Sequence, residues 1–137
     1  MGLILDSSLL IAGERRGQHV WDILERVQAS QGETESALSA VTVVELAQGI
    51  YRAKSEADRQ RRRNFVAELC QTIPVHTLTL EIAQLAGRIE GEQAAKGVVI
   101  ALPDLLIGVT ALHLGYSVAT LNARHFRLNP GLSVVQL

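Results

Sequence analysis

The chain holds one cysteine, three prolines, one tryptophan and four aspartates. A lone Cys70 excludes an internal disulfide framework and fits a reducing compartment. Its neighbours Phe65, Val66, Leu69 and Ile73 fall at helical spacing, so Cys70 reads as a core residue. Aromatics are scarce, leaving Trp21, Tyr51, Phe65, Tyr116 and Phe126. The aliphatic residues around Trp21 and Phe65 mark both as core or interface residues rather than a base-stacking platform. Neither sign of charge dominates: 13 Lys and Arg against 14 Asp and Glu give a net charge of -1. That excludes a basic coat, and any nucleic-acid contact must come from local patches. No basic segment precedes the first apolar run and Asp6 interrupts it, so no secretory signal is expected. The long apolar stretch from Gly97 to Gly115 carries Pro103, Asp104 and His113. An ionised aspartate deep in a bilayer is expensive; a buried strand-loop-helix stretch of a soluble, cytoplasmic protein is the better reading. Repeats, linkers and low-complexity segments are also lacking, and residues 1–137 read as one domain.

Apolar residues make up 47% of the 137, and a chain of this size buries roughly 68–70% of its unfolded surface. Leu3-Ile4-Leu5 reads as a buried strand, and Asp6 stands at its end, followed by a short helix from Ser7 to about Arg16 that stops near Gly17. His19 to Gln31 carries Val20, Ile23, Leu24 and Val27 on one helical face. A polar loop with Gly32 leads to a second strand, Ala37 to Val41. Thr42 opens a helix reaching about Ala53. The helix after the polar break at Lys54–Asp58 is amphipathic only from Phe65 to Gln71, so its Arg59–Arg63 half should stand out into solvent. Pro74–His76 is a short strand, and Thr79 starts a long helix burying Ile82, Leu85, Ala86 and Ile89. Pro103 and Gly115 bound a further helix with Leu105, Leu106, Val109 and Leu112 inward. Tyr116–Leu121 and Val134–Leu137 are the last strands. Short apolar strands alternating with helices predict a three-layer α/β/α domain with a short-stranded, mostly parallel central sheet.

Asp22 and Asp58 lie among polar residues. Asp6, Glu45 and Asp104 each sit in a strongly apolar context. Each has a structural explanation: Asp6 as a helix cap, Thr42-x-x-Glu45 as a capping box, Asp104 as an anion in a helix first turn. Together they suggest more. In a parallel sheet all strand-to-helix junctions lie on one edge, so neighbouring strands would bring the three carboxylates together. Two carboxylates about 4 Å apart repel by roughly 4 kcal/mol at an effective dielectric of 20, which protonation or a divalent cation relieves. Oxygen ligands without His or Cys at metal-ligand spacing favour Mg²⁺ or Mn²⁺, and the implied chemistry is metal-assisted phosphodiester hydrolysis.

Four motifs then fall in order: Ile4-Leu5-Asp6-Ser7-Ser8-Leu9-Leu10-Ile11, Ser39-Ala40-Val41-Thr42-Val43-Val44-Glu45-Leu46-Ala47-Gln48-Gly49-Ile50, Pro103-Asp104-Leu105-Leu106-Ile107-Gly108-Val109-Thr110-Ala111-Leu112, and Ala119-Thr120-Leu121-Asn122-Ala123-Arg124-His125-Phe126. Along its whole length the chain resembles PIN-domain ribonucleases of the VapC type, the toxins of toxin–antitoxin pairs. The resemblance implies that Asp6, Glu45 and Asp104 form the catalytic metal site, supported by Ser8 and Thr120. It also implies an RNA substrate, an Mg²⁺ (or Mn²⁺) cofactor, a homodimer and a cognate antitoxin protein. The fourth motif departs from the pattern, with Asn122 and His125 where many relatives carry a further acidic residue. Asn122 is then a neutral oxygen ligand or water holder, one tightly held ion is favoured over two, and His125 is a candidate proton donor. Arg59, Arg61, Arg62 and Arg63 read either as a solvated face or as an RNA-contacting edge. Arg15, Arg16 and Arg124 near the site edge are further RNA-binding candidates. Ile50, Tyr51 and the helix around Trp21 are candidate positions for an antitoxin helix. The rival reading is a catalytically weakened module that binds RNA or a protein partner without cutting. A phospho-acceptor role for Asp6 lacks both the acidic pair and the late lysine such domains carry, Lys54 and Lys96 being the only lysines.

Overall fold

The computed structural model describes residues 1–137. The order is β1 (Gly2–Leu5), α1 (Ser7–Arg15), α2 (Val20–Gln31), β2 (Glu35–Ser39), α3 (Ala40–Tyr51), α4 (Glu56–Thr72), β3 (Val75–His76), α5 (Leu80–Ala95), α6 (Leu102–Leu114), β4 (Ser117–Thr120), α7 (Ala123–Phe126) and β5 (Val134–Gln136). The five strands form one sheet ordered β3-β2-β1-β4-β5, and every pairing is parallel. The chain builds outward from β1 on one side and then returns to build on the other. This reversal makes β1/β4 the topological switch point, and an open α/β sheet offers its ligand crevice beyond the carboxyl ends of the strands there.

Alternation along the strands divides the core. Leu3, Leu5, Leu38 and Ala119 face one side, with Leu9, Leu10, Val20, Ile23, Leu46, Phe65 and Leu69 of α1–α4. Ile4, Ala37 and Val118 face the other, against Ile107, Ala111 and Phe126 of α6 and α7. A third cluster, including Ile82, Ile89, Leu105 and Val109, seats α5 on α6. The three-layer α/β/α arrangement is thus present. The Gly97–Gly115 stretch divides into a loop and α6, and no helix is long and apolar enough to cross a membrane.

Several local expectations are corrected. Strand β2 ends at Ser39, not Val41, because the Ser39 hydroxyl accepts from the Val41 N–H at 3.1 Å and caps α3. Thr42 therefore lies inside the helix, fully buried, with its hydroxyl unpartnered; the capping box with Glu45 is not made. Cys70 is exposed: the buried positions of α4 are Phe65 and Leu69, and one residue past Leu69 turns about 100° away from the core. Partial burial still pushes its thiol pKa up. Trp21 is 60% exposed for the same reason, since α2 buries Val20, Ile23 and Val27. Ile50 is buried and Tyr51 exposed, which removes Ile50 from any partner-facing set. The arginine-rich half of α4 does not project freely. Arg61 Nε pairs with Glu14 Oε1 at 2.9 Å, Arg62 Nη1 donates to the Gly49 carbonyl at 2.6 Å, and Arg59 Nη2 to the Ala53 carbonyl at 3.2 Å. Counting apolar residues alone missed this polar attachment of α4 to α1 and the end of α3.

Candidate active site

Asp6 follows the last residue of β1 in the N-cap position of α1, yet its side chain makes no capping bond. The helix-cap explanation does not hold here. Its buried carboxylate instead receives two hydroxyls on one oxygen: Ser8 Oγ donates to Oδ2 at 2.6 Å and Thr120 Oγ1 donates to the same atom at 2.8 Å. Thr120 ends β4, so this bond spans the switch point. Each hydroxyl is itself held by backbone, Ser8 Oγ accepting from Leu121 N at 3.2 Å and Thr120 Oγ1 from Asn122 N at 2.9 Å. Charge-assisted hydrogen bonds of this kind are roughly twice as strong as neutral ones, and here they fix Asp6 through Oδ2 while making no claim on Oδ1.

Glu45 projects from α3, the helix that follows β2, and Ser7 Oγ donates to its Oε1 at 3.0 Å. Asp104 lies in the first turn of α6. The Gly97–Ala101 run before it is a loop, not a strand, so Asp104 arrives at the N-terminal end of a helix rather than the end of a strand. The three carboxylates nevertheless sense one another. Burial pushes the Glu45 carboxyl above its usual range; the Ser7 bond opposes this, and the charges of Asp6 and Asp104 add to it. Asp104 is likewise raised, by burial and then by Asp6, with His125 acting in the opposite direction. His125 Nδ1 stands 3.8 Å from Asp104 Oδ2. The structure thus brings Asp6, Glu45, Asp104, Ser8, Thr120 and His125 into one region.

An oxygen-only set of carboxylates, in which ionisation of Glu45 and Asp104 is penalised by burial and by acidic neighbours, suits a hard divalent cation. No three acidic, imidazole or thiol side chains close on a single point as they stand. Mg²⁺ does not require that, since it is usually held by one or two carboxylates with waters and phosphate oxygens completing its shell. The donor set fits such an ion, which Asp6, Asp104 and Glu45 would hold between them, Glu45 and Asp104 being buried to a similar degree and each raised in pKa by acidic neighbours.

Asn122 is exposed and engages the site through its backbone N–H. Among the arginine candidates, Arg15 and Arg62 line the pockets that Glu45 also lines. Arg16 and Arg124 are exposed. Arg59 pairs with Glu56, Arg61 with Glu14 and Asp58, and Arg63 bonds to Gln60. Three contributors escaped sequence reading. Ser7 donates to Glu45, and its place beside Ser8 after Asp6 was the available signal. Glu14, 9% exposed, anchors Arg61; its position on the buried side of a short helix was legible from periodicity. Gln136, on the last strand, bonds to Leu121 O and Ala123 N at 2.9 and 3.0 Å, steadying the turn that carries Asn122. Nothing in its sequence context marks it.

Comparison with known proteins agrees with this architecture. A family model described as PIN domain matches residues 3–130. Ribonuclease VapC1 of Rickettsia felis is 28% identical over 137 residues, spanning 98% of this chain and 96% of the relative. The crystal structure of VapBC2 from Rickettsia felis bound to a DNA fragment from their promoter superposes with a TM-score of 0.83 at 18% identity, covering 100% of this chain and 99% of that one. DNA-bound VapBC from Salmonella typhimurium gives 0.82 at 22% identity, covering 99% and 98%. The chain belongs to the PIN-domain family.

Proposed function

We propose that residues 1–137 form one PIN domain acting as a VapC-type toxin: an endoribonuclease that hydrolyses RNA phosphodiester bonds with Mg²⁺ or Mn²⁺ and is held in check by a cognate antitoxin. The observation that carries this reading is the meeting of Asp6, Glu45 and Asp104 at the switch-point edge, with Glu45 and Asp104 both pushed up in pKa by burial and by their acidic neighbours. Relatives named ribonuclease VapC that share almost the whole chain support it. Structural neighbours that are VapBC complexes support a protein partner; a homodimer and a cytoplasmic location belong to the same proposal.

In this scheme Asp6, Asp104 and Glu45 would hold the ion. When bound, it supplies Lewis-acid stabilisation of the phosphate and lowers the pKa of water. Asp6 is oriented by the Ser8 and Thr120 hydroxyls on Oδ2, which leaves Oδ1 without a partner from the protein. Glu45, raised in pKa and steadied by Ser7 at Oε1, is suited to take a proton from the attacking water at its other oxygen. His125 Nδ1, beside Asp104, holds the imidazole near the site, where it orients Asp104 or passes a proton to the leaving oxygen. Preorganised groups aimed at developing charge provide the main acceleration.

The test is incubation of purified, antitoxin-free protein with total RNA in the presence of Mg²⁺, Mn²⁺ or EDTA, beside Asp6→Asn and Asp104→Asn. Discrete metal-dependent fragments, absent in both variants, are expected. A folded protein that cuts nothing with either ion would favour the binding-only module instead.

A further inference from the structure

Glu45 lines two pockets. One is largely apolar, walled by Leu10, Leu46, Phe65 and Val66. The other is a polar groove of about 410 Å³ whose charged lining consists of Arg15, Arg52, Lys54 and Arg62 with Glu45 and Asp58. It lies where the C-terminal ends of α1 and α3 meet the first half of α4. Asp58 is committed to Arg61 at 2.8 Å, and Arg62 is oriented by the Gly49 carbonyl at 2.6 Å. Arg15, Arg52 and Lys54 are exposed and form no ion pair. An excess of unpaired cations therefore faces a groove that opens from a carboxylate of the candidate active site.

We propose that this groove holds the backbone phosphates of the RNA strand on one side of the cut bond, with Arg15, Arg52 and Lys54 as the contacts and Arg62 as the fixed wall. The inference rests on the ribonuclease reading and deepens it. A strand cut at Asp6, Glu45 and Asp104 must continue past one of them, and the route past Glu45 is the one where the protein supplies unneutralised positive charge. Helix C-termini account for a cation at Arg15 and Arg52 taken singly; they do not account for Lys54 or for the convergence. No aromatic side chain lines the groove, so it has nothing on which to stack a base. It contributes affinity through phosphate contacts and leaves sequence choice to other surfaces. An acidic segment of a protein partner is the competing occupant.

The experiment compares Asp6→Asn protein, which should not cut the probe, with the same protein carrying Arg15→Gln, Arg52→Gln and Lys54→Gln. Binding of a short labelled single-stranded RNA is followed by fluorescence anisotropy over a tenfold range of salt, and of an oligoglutamate peptide in parallel. Three lost phosphate contacts at ~0.7 each flatten the log–log salt slope by about 2, so the parent should lose roughly 100-fold more affinity than the triple variant across the range. Thermal melting checks the fold, which these exposed, unpaired side chains are not expected to disturb. An unchanged slope overturns the proposal, and so does loss of peptide binding with RNA binding intact. If the wild-type protein cleaves RNA while the triple substitution leaves the slope unaltered, only the groove assignment fails. RNA binding absent in the parent, together with absent wild-type cleavage, overturns the ribonuclease reading as well.

Discussion

Replacing Thr120 by valine removes one hydroxyl while conserving side-chain shape. That hydroxyl is fully buried, donates to Asp6 Oδ2 at 2.8 Å and accepts from Asn122 N at 2.9 Å. A hydrogen bond to a charged group contributes about 1.5–3 kcal/mol, and the backbone N–H left without an acceptor adds about 1 kcal/mol. The substitution should therefore cost about 2.5–4 kcal/mol. In an Asp6→Asn background the acceptor is neutral and the first contribution falls to about half, whereas the Asn122 loss is unchanged and cancels. The coupling between positions 6 and 120 should then be about 0.75–1.5 kcal/mol, within the range seen for side chains sharing one network. Urea unfolding of the four proteins in EDTA, read by circular dichroism with a common m-value, measures it. A coupling below about 0.3 kcal/mol, the scatter expected of independent sites, would refute the view that Thr120 acts on the Asp6 charge.

Asp104→Asn should change how stability depends on pH. A carboxyl whose folded pKa is raised contributes stability that is complete below its ordinary value and is lost as pH rises through the raised one. As pH falls from neutral towards the ordinary values of 4.5 for Glu45 and 3.8 for Asp104, metal-free wild-type protein should gain on Asp104→Asn; parallel pH–stability curves would count against the acidic cluster. Gly108→Ala would set a Cβ 2.6 Å from Nδ2 of the buried Asn129 and 3.1 Å from Leu132 Cδ2. Overpacking of this sort costs about 1–3 kcal/mol, more than the helix propensity of alanine returns, so the melting temperature should fall. Arg61→Met leaves the mostly buried Glu14 without its partner at 2.9 Å and should lower the midpoint of urea unfolding. Glu14→Gln combined with Arg61→Met should recover part of that in the same unfolding assay, and no recovery would mean that Glu14 is not the reason.

The sheet was legible because buried parallel strands are short apolar runs, and Leu3–Leu5 and Val118–Ala119 have no other reading. Asp6, Glu45 and Asp104 were legible because a carboxylate among aliphatic residues needs a reason. Boundaries followed from local chemistry that the apolar pattern does not carry. Ser39 rather than Thr42 caps α3, and with that the structural explanation for Glu45 disappears. The attachment of α4 was invisible for a related reason: Arg61 and Arg62 fix the helix through Glu14 and a backbone carbonyl, partners 47 and 13 residues away. Cys70 and Trp21 show the limit of spacing arguments, since a residue one step beyond a buried position points out of the core. Gln136 reaches the β4–α7 turn across a strand pairing, a relation only the fold creates.

We propose that Asp6 and Asp104, with Glu45 beside them, make a site for a divalent ion. Its most direct test is a titration of Mn²⁺ into the purified protein at neutral pH, read by the electron paramagnetic resonance signal of the free ion, with Asp6→Asn and Asp104→Asn alongside. Saturable binding by the wild type that weakens by at least about tenfold in each variant is the predicted result, since changing groups that only orient a metal's ligands already costs about 10–100-fold. Wild-type protein that binds no Mn²⁺, or variants that bind it as well as the wild type, would mean that these carboxylates do not form a divalent-ion site.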